Sequence, residues 1–301
     1  MIPAHTASGN SRGILYLLAT TIGFILSDTF VKLASEDLSV AQIIIVRSLI
    51  AAPAVTLVAW QRGAFANFRG LAERFIALRA FGEVGATALY LSALARMEIA
   101  NATAILQTVP LAATAAAALF MGEKVGIRRW SAIAVGLLAV LLIVRPGLAG
   151  FNGWSLVALA SVAFVVLRDL SSRLLPESTN PLAVSALSVF VMIPLGLLML
   201  PFESWEPLTT RALLYCAGSG LFLSISFVLI TLAMRSGEIS VVAPFRYAIL
   251  LWAVIIQVAV FSVWPDATTL IGSFILVATG LYTLYRERKV KRAEKLGRPV
   301  R

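Results

Sequence analysis

Six ionisable side chains stand inside stretches that are otherwise apolar: Asp28, Arg47, Arg79, Glu83, Asp169 and Arg246. An ionised group at hydrocarbon depth costs at least ~2.5–3.5 kcal/mol on insertion scales, so it must face a partner or a water-filled space. A carboxylate there can meet an ammonium group or pass on a proton, and a guanidinium can hold an anion through paired N–H donors. The pairs Asp28–Arg47, Arg79–Glu83 and Asp169–Arg246 admit two readings. They are either ion pairs that join helices or groups that line a solute path. Arg246 is the leading contact for an anion, because Tyr247 follows it and the helix-bending Pro244 comes just before. Glu83 is next, through its central depth and its place one turn from Arg79. A proton relay through Glu83 or Asp28 is a further role for these groups.

Other residues could form a cavity wall. Tyr90 lies seven positions after Glu83 and so shares its helix face. Trp252 lies six beyond Arg246, Ser224 and Phe227 follow the small run Gly218-Ser219-Gly220, and Asn101 and Gln107 are polar exceptions in an alanine-rich stretch. Each has an alternative role in packing or interhelical hydrogen bonding. Pro110 and Pro244 free backbone groups and could serve as bending points, although their registers differ by six.

These residues need helices to hold them. Hydrophobic residues make up 59% of the 301 and charged residues 13%, about half the charge of an ordinary soluble domain. A bilayer core of ~30 Å takes about 20 helical residues. Apolar runs then predict an all-α membrane protein with ten spans near 13–34, 40–60, 73–95, 99–121, 129–146, 153–173, 181–201, 212–234, 239–263 and 267–285. The first run reads as a retained helix rather than a signal peptide. Short connections suggest that consecutive helices are antiparallel neighbours. With 1.5 Å of rise per residue, Asp28 and Arg47 lie roughly 10 Å below the outer surface, and Arg246 lies about as deep below the inner one.

Basic residues orient the chain. With a cytoplasmic N-terminus, the inner side receives Arg12, Arg62, Arg69, Arg74, Lys124, Arg128, Arg129, Arg168, Arg173, Arg235 and the eight basic residues from Arg286 to Arg301, 18 in all. The outer side receives four: Lys32, Arg96, Arg145 and Arg211. This bias puts both termini in the cytoplasm of a bacterial-type inner membrane. The basic tail, 287–301, reads as a lipid-headgroup anchor and not as a nucleic-acid contact, so no nucleic-acid partner is expected. The single Cys216 and single His5 leave no cysteine- or histidine-based metal site, and no cofactor or metal is expected.

The halves 1–148 and 149–286 resemble each other at an offset near 140. Asp28 and Lys32 answer Asp169 and Arg173, Pro53 answers Pro194, and Leu94-Ala95 with Glu98-Ile99 answers Leu232-Ala233 with Glu238-Ile239. Five spans per half is odd, so the two repeats insert in opposite orientation. Inverted five-helix repeats around a central cavity are an architecture of carriers, with the site near the midplane where the halves meet.

Gly122-Glu123-Lys124, Val242-Ala243-Pro244-Phe245-Arg246-Tyr247, Trp264-Pro265-Asp266 and Gly280-Leu281-Tyr282 give the chain a family likeness. It resembles the drug/metabolite transporter superfamily, in its ten-span EamA type. The likeness covers nearly the whole chain and departs at Ser262-Val263, where the family commonly repeats Gly-Glu. It implies export or exchange of small metabolites, and the resemblance suggests amino-acid exporters of the YddG type, aromatic substrates included. An importer of a vitamin or nucleoside-like metabolite is the alternative, acting as a monomer or homodimer. An enzyme is disfavoured because no predicted span carries a histidine base for Ser219. Direct ATP drive is disfavoured because no phosphate-binding Gly-x-x-x-x-Gly-Lys-Ser/Thr loop occurs. A channel lacks rings of charge or a filter-like segment.

Overall fold

The computed structural model describes residues 7–65, 74–123, 125–146, 151–176, 179–236 and 239–295. His5, Arg69, Lys124, Glu238, Arg298 and Arg301 lie outside them. The described chain is helical: α1 (Ala7–Ala34), α2 (Val40–Gln61), α3 (Arg74–Arg96), α4 (Ile99–Leu106), α5 (Val109–Phe120), α6 (Ile127–Val144), α7 (Trp154–Arg173), α8 (Pro181–Met199), α9 (Thr210–Ser236), α10 (Ile239–Val242), a 3-10 segment (Ala243–Tyr247), α11 (Ala248–Phe261) and α12 (Ala267–Lys295). Among the described residues, nine stretches are long and apolar enough to cross a bilayer. The tenth, α3, has 23 residues and carries Arg79 and Glu83 in its interior.

The fourth span of each half is broken. In the first half the chain turns at Gln107 and Thr108 between α4 and α5. In the second, the 3-10 segment intervenes before α11. α5 begins at Val109 and α11 at Ala248, so the breaks fall at equivalent places although the prolines do not. Pro110 sits in the first turn of α5, where a missing N–H costs nothing. Pro244 sits in the first turn of the 3-10 segment, ahead of its break. Both broken spans also end alike. Gly122 (φ +69°) follows α5, and Ser262 (φ +55°) closes α11.

Helix pairing corrects one expectation. Consecutive helices are not each other's main neighbours. Instead α1 packs on α9, α2 on α8 and α9, α3 on α7, α4 on α7 and α11, α5 on α7, and α6 on α12. Small residues allow these approaches. Ser27 of α1 meets Ser219 of α9, hydroxyl to hydroxyl at 3.0 Å, and a Cβ at Gly220 would come within 2.7 Å of the Arg47 carbonyl. The run Gly218-Ser219-Gly220 is therefore a helix contact.

Three ion pairs join connections that a ten-span path brings to the same end: Arg211–Glu36, Arg145–Asp266 and Arg173–Glu123. At Asp266 burial raises the carboxyl's pKa, but the Thr269 N–H, the Thr268 and Thr269 hydroxyls and Arg145 outweigh it. The net result lies below the usual carboxylate range.

Candidate functional site

Between the halves lies a cavity of about 640 Å³, within the ~300–1,000 Å³ common for small-molecule sites. α1, α3 and α4 wall it on one side, and α7, α8, α9 and the segment around Arg246 on the other. Pro176 and Thr179 in the α7–α8 connection line it, as do Leu17 and Thr20 in the N-terminal half of α1. It therefore opens toward the end that carries the chain's N-terminus.

Its floor and walls hold three carboxylates and three guanidiniums. On α3, Glu83 is 8% exposed. Its carboxylate takes Arg79 at 3.5 Å along the same helix and Arg168 of α7 at 3.3 Å across the interface. Arg168 also holds Asp169 at 2.9 Å. Arg79 is steadied by the hydroxyls of Ser172, at 3.0 Å, and Ser188, at 2.6 Å. Deeper in, the Tyr90 hydroxyl donates to Asp28 at 2.8 Å. Phe24 and Phe227 meet edge to face, 6.0 Å between centroids, and supply an aromatic wall between the polar regions.

Of the residues singled out in the sequence, Asp28, Arg79, Glu83, Tyr90, Gln107, Asp169, Phe227 and Arg246 line this cavity. The pairing of charges differs from expectation in two of three cases. Arg79–Glu83 forms. Asp169 pairs with Arg168, because the two are adjacent at the cavity edge of α7. Arg246 lies beyond the Pro244 turn with no ion pair among the described residues. Asp28 pairs with Tyr90, and Arg47 makes no ion pair among the described residues. It is buried on α2, and its Nε has no hydrogen-bond partner among the described residues.

Five further candidates lie off the cavity. The Tyr247 ring is buried against Gly280. Ser224 donates back to the Gly220 carbonyl at 2.7 Å, within α9. The Trp252 indole N–H is buried against the main core, without a partner among the described residues. Pro110 lines a smaller void of about 240 Å³ that also touches Asp169 and Arg246. Asn101 belongs to the closed far end. There the Gln257 amide donates to Glu98 at 2.8 Å and accepts from the Ala100 N–H at 2.9 Å. Asn101 accepts from the Thr269 hydroxyl at 2.6 Å. Lys32 donates to the carbonyls of Leu94 and Met97 at 3.1 and 2.6 Å, across the end of α3.

Arg168 was the functional-looking residue that sequence reading missed. Its position near the end of a predicted span grouped it with the cytoplasmic basic residues. Its adjacency to Asp169 and to the small residues Ser171 and Ser172 was the available signal.

A helical membrane protein with repeated halves around a polar cavity is the class that this geometry defines. The EamA-like transporter family matches residues 11–145 and 152–286. The chain belongs to that family, within the drug/metabolite transporter superfamily. Among similar proteins is an S-adenosylmethionine uptake transporter of Rickettsia conorii, 27% identical over 196 residues, which are 64% of this chain and 65% of that one. The match thus spans a little under two thirds of that relative's length. A riboflavin transporter of Vibrio cholerae is 29% identical over 72% of this chain and 74% of its own. A pseudopaline exporter of Pseudomonas aeruginosa is 26% identical over 92% and 97%. A solved crystal structure shares the fold with a TM-score of 0.59 at 18% identity, covering 89% of this chain and 98% of its own.

Proposed function

We propose that the protein is a gradient-driven or facilitated secondary carrier of small zwitterionic metabolites, with amino acids, aromatic ones included, as its substrates in export or exchange. The observation that carries this reading is the cavity itself: closed at one end, open at the other, and lined by both carboxylates and guanidiniums. An amino acid offers the complementary pair of charges, and the Phe24–Phe227 wall suits an apolar or aromatic side chain. Arg246, Glu83, Asp28 and Tyr90 are the contacts for its charged end. Alternating exposure would open the Glu98–Gln257 end while the Arg246 end closes. By the positive-inside bias, the open end and both termini face the cytoplasm of a bacterial inner membrane. The repeats 1–148 and 149–286 move as the two halves, in a monomer or homodimer.

A second reading, import of a vitamin or nucleoside-like metabolite, is favoured by the likeness to an S-adenosylmethionine uptake transporter and a riboflavin transporter and by a cavity roomy enough for a heterocycle. One experiment serves both. Purified protein in liposomes is offered labelled aromatic amino acids, riboflavin and nucleosides, with and without a proton gradient. Saturable uptake accelerated by unlabelled solute on the other side is the expected result. Flux that rises linearly with concentration, without counterflow, would defeat the carrier.

A further inference from the structure

At the closed end of the cavity, Lys32 stands one turn beyond Asp28 on α1. Its ammonium donates to the carbonyls of Leu94 and Met97, at 3.1 and 2.6 Å, in and just past the last turn of α3. Carbonyls in a helix's last turn lack intrahelical donors, and a cation there also meets the negative end of the helix dipole. Lys32 thus straps α1 to α3, and the two helices pack on each other. In the second half the corresponding helices are α7 and α9, the sixth and eighth spans where α1 and α3 are the first and third. Arg173 follows Asp169 at the spacing of Lys32 from Asp28, and Leu232-Ala233 comes near the end of α9 as Leu94-Ala95 does in α3. Among the described residues, however, Arg173 turns to Glu123 at 3.4 Å, in a pair about half exposed. Ser172 and Leu175 on one side and Ile230 and Thr231 on the other line the cavity, so its mouth lies between the ends of α7 and α9. The second half is open where the first half is strapped.

We propose that Arg173 is a latch for the open end. When the molecule exposes its other side, Arg173 leaves Glu123 and donates to the carbonyls that end α9, as Lys32 does to those that end α3. The inference rests on the carrier reading, which needs the two ends to open in turn. Inverted repeats supply the physical reason. Each half takes up in turn the arrangement that the other holds, so a contact that closes one end has a counterpart at the other. A guanidinium carries five N–H donors, enough to serve two carbonyls. An ion pair as exposed as Arg173–Glu123 is weak in water, so giving it up costs little. Glu123 is then the catch that holds the latch back while the mouth is open.

The test measures the mouth directly. Spin labels at Leu175→Cys and Ile230→Cys, in the full-length protein with Cys216→Ala in liposomes, report the distance between its two rims. The parent is expected to show a long distance and a shorter one, for the mouth open and closed. Arg173→Met should reduce the short fraction by about threefold, the scale of a cation at a helix end, and Arg173→Lys should retain it. Glu123→Gln should raise the short fraction, because it frees the latch. Lys32→Met loosens the opposite end and should raise it too. If the Arg173–Glu123 pair had only a structural role, Arg173→Met and Glu123→Gln would shift the fraction the same way. That result, or no shift in either, would overturn the proposal. A short fraction that Glu123→Gln or Lys32→Met fails to raise overturns it as well, which keeps the test decisive even where Arg173→Met does not fold. Counterflow in the same liposomes separates the two readings. Two distances and counterflow without sensitivity to Arg173 defeat only the latch, whereas one fixed distance without counterflow defeats the carrier and the latch together.

Discussion

Arg168 reaches from α7 to α3, with its Nη1 3.3 Å from Glu83 Oε1, while its Nη2 keeps Asp169 at 2.9 Å. One guanidinium thereby ties the two halves of the molecule together at the cavity wall. The helices approach closely there: a Cβ at Gly82 would lie 2.7 Å from the backbone nitrogen of Arg168 itself.

Replacing Glu83 by Gln should therefore be costly. Arg79 and Arg168 would both lose their shared carboxylate, and breaking a buried pair costs about 3–5 kcal/mol. A fall in thermal midpoint of the detergent-solubilised protein is the expected reading. An unchanged midpoint would mean that cavity water screens the cluster completely.

Gly82→Val tests the same contact by volume. Its new atoms meet backbone of α7, which cannot rotate away, so a loss of about 1–3 kcal/mol is expected, the range for overpacked cores. Valine at the nearby exposed Ala77 provides the control and should leave stability within about 0.5 kcal/mol.

Ser262 and Gly122 make a matched pair. Both have positive φ at the end of a broken span, and glycine carries no steric penalty there. Ser262→Gly should stabilise by up to about 1 kcal/mol and Gly122→Ser should destabilise by a similar amount. Equal effects of the same sign would contradict the backbone explanation.

At the closed end, Gln257→Leu removes the donor to Glu98 and the acceptor for the Ala100 N–H. Loss of this closure should expose the cavity from that side. With Cys216 replaced by Ala, an impermeant maleimide should label a Thr103→Cys reporter faster in the Gln257→Leu background than in the parent. Equal labelling rates would show that the end is held by packing alone.

Asp266 supplies a pH reading outside the membrane. Its carboxyl lies below the ordinary value of 3.8, so its contribution is complete above that value and disappears as pH falls through the depressed one. Stability attributable to Asp266 should be flat from neutral pH down to the ordinary carboxylate range and fall only below it. Asp266→Asn keeps an acceptor for the Thr269 N–H and loses the charge opposite Arg145, so it should cost no more than about 1 kcal/mol at neutral pH.

Much of the frame was legible from residue types. Apolar run lengths anticipated the helices, and the paired motifs offset near 140 anticipated the repeats. The exclusion of charge from lipid directed attention to Asp28, Arg79, Glu83, Asp169 and Arg246, all of which line the cavity. Partner choice was not legible, because contacts such as Glu83–Arg168 join helices distant in sequence. Nor was the break at Gln107 and Thr108. An alanine-rich run carries no stop signal, and Pro110 occupies a helix turn where proline is tolerated. Tyr247, adjacent to Arg246, was drawn toward the site by proximity in sequence. The 3-10 turn sends the two side chains different ways.

The pairing of first-half helices with second-half helices has a consequence for how the chain is made. When the ribosome has delivered only α1 to α6, the principal partner of every one of them is still unsynthesised. Arg47 and Glu83 then sit in inserted helices without the surfaces that later enclose them. Assembly must wait for the last helices, α12 closing on α6 among them. A truncated chain should be a substrate for quality control rather than a half-sized carrier.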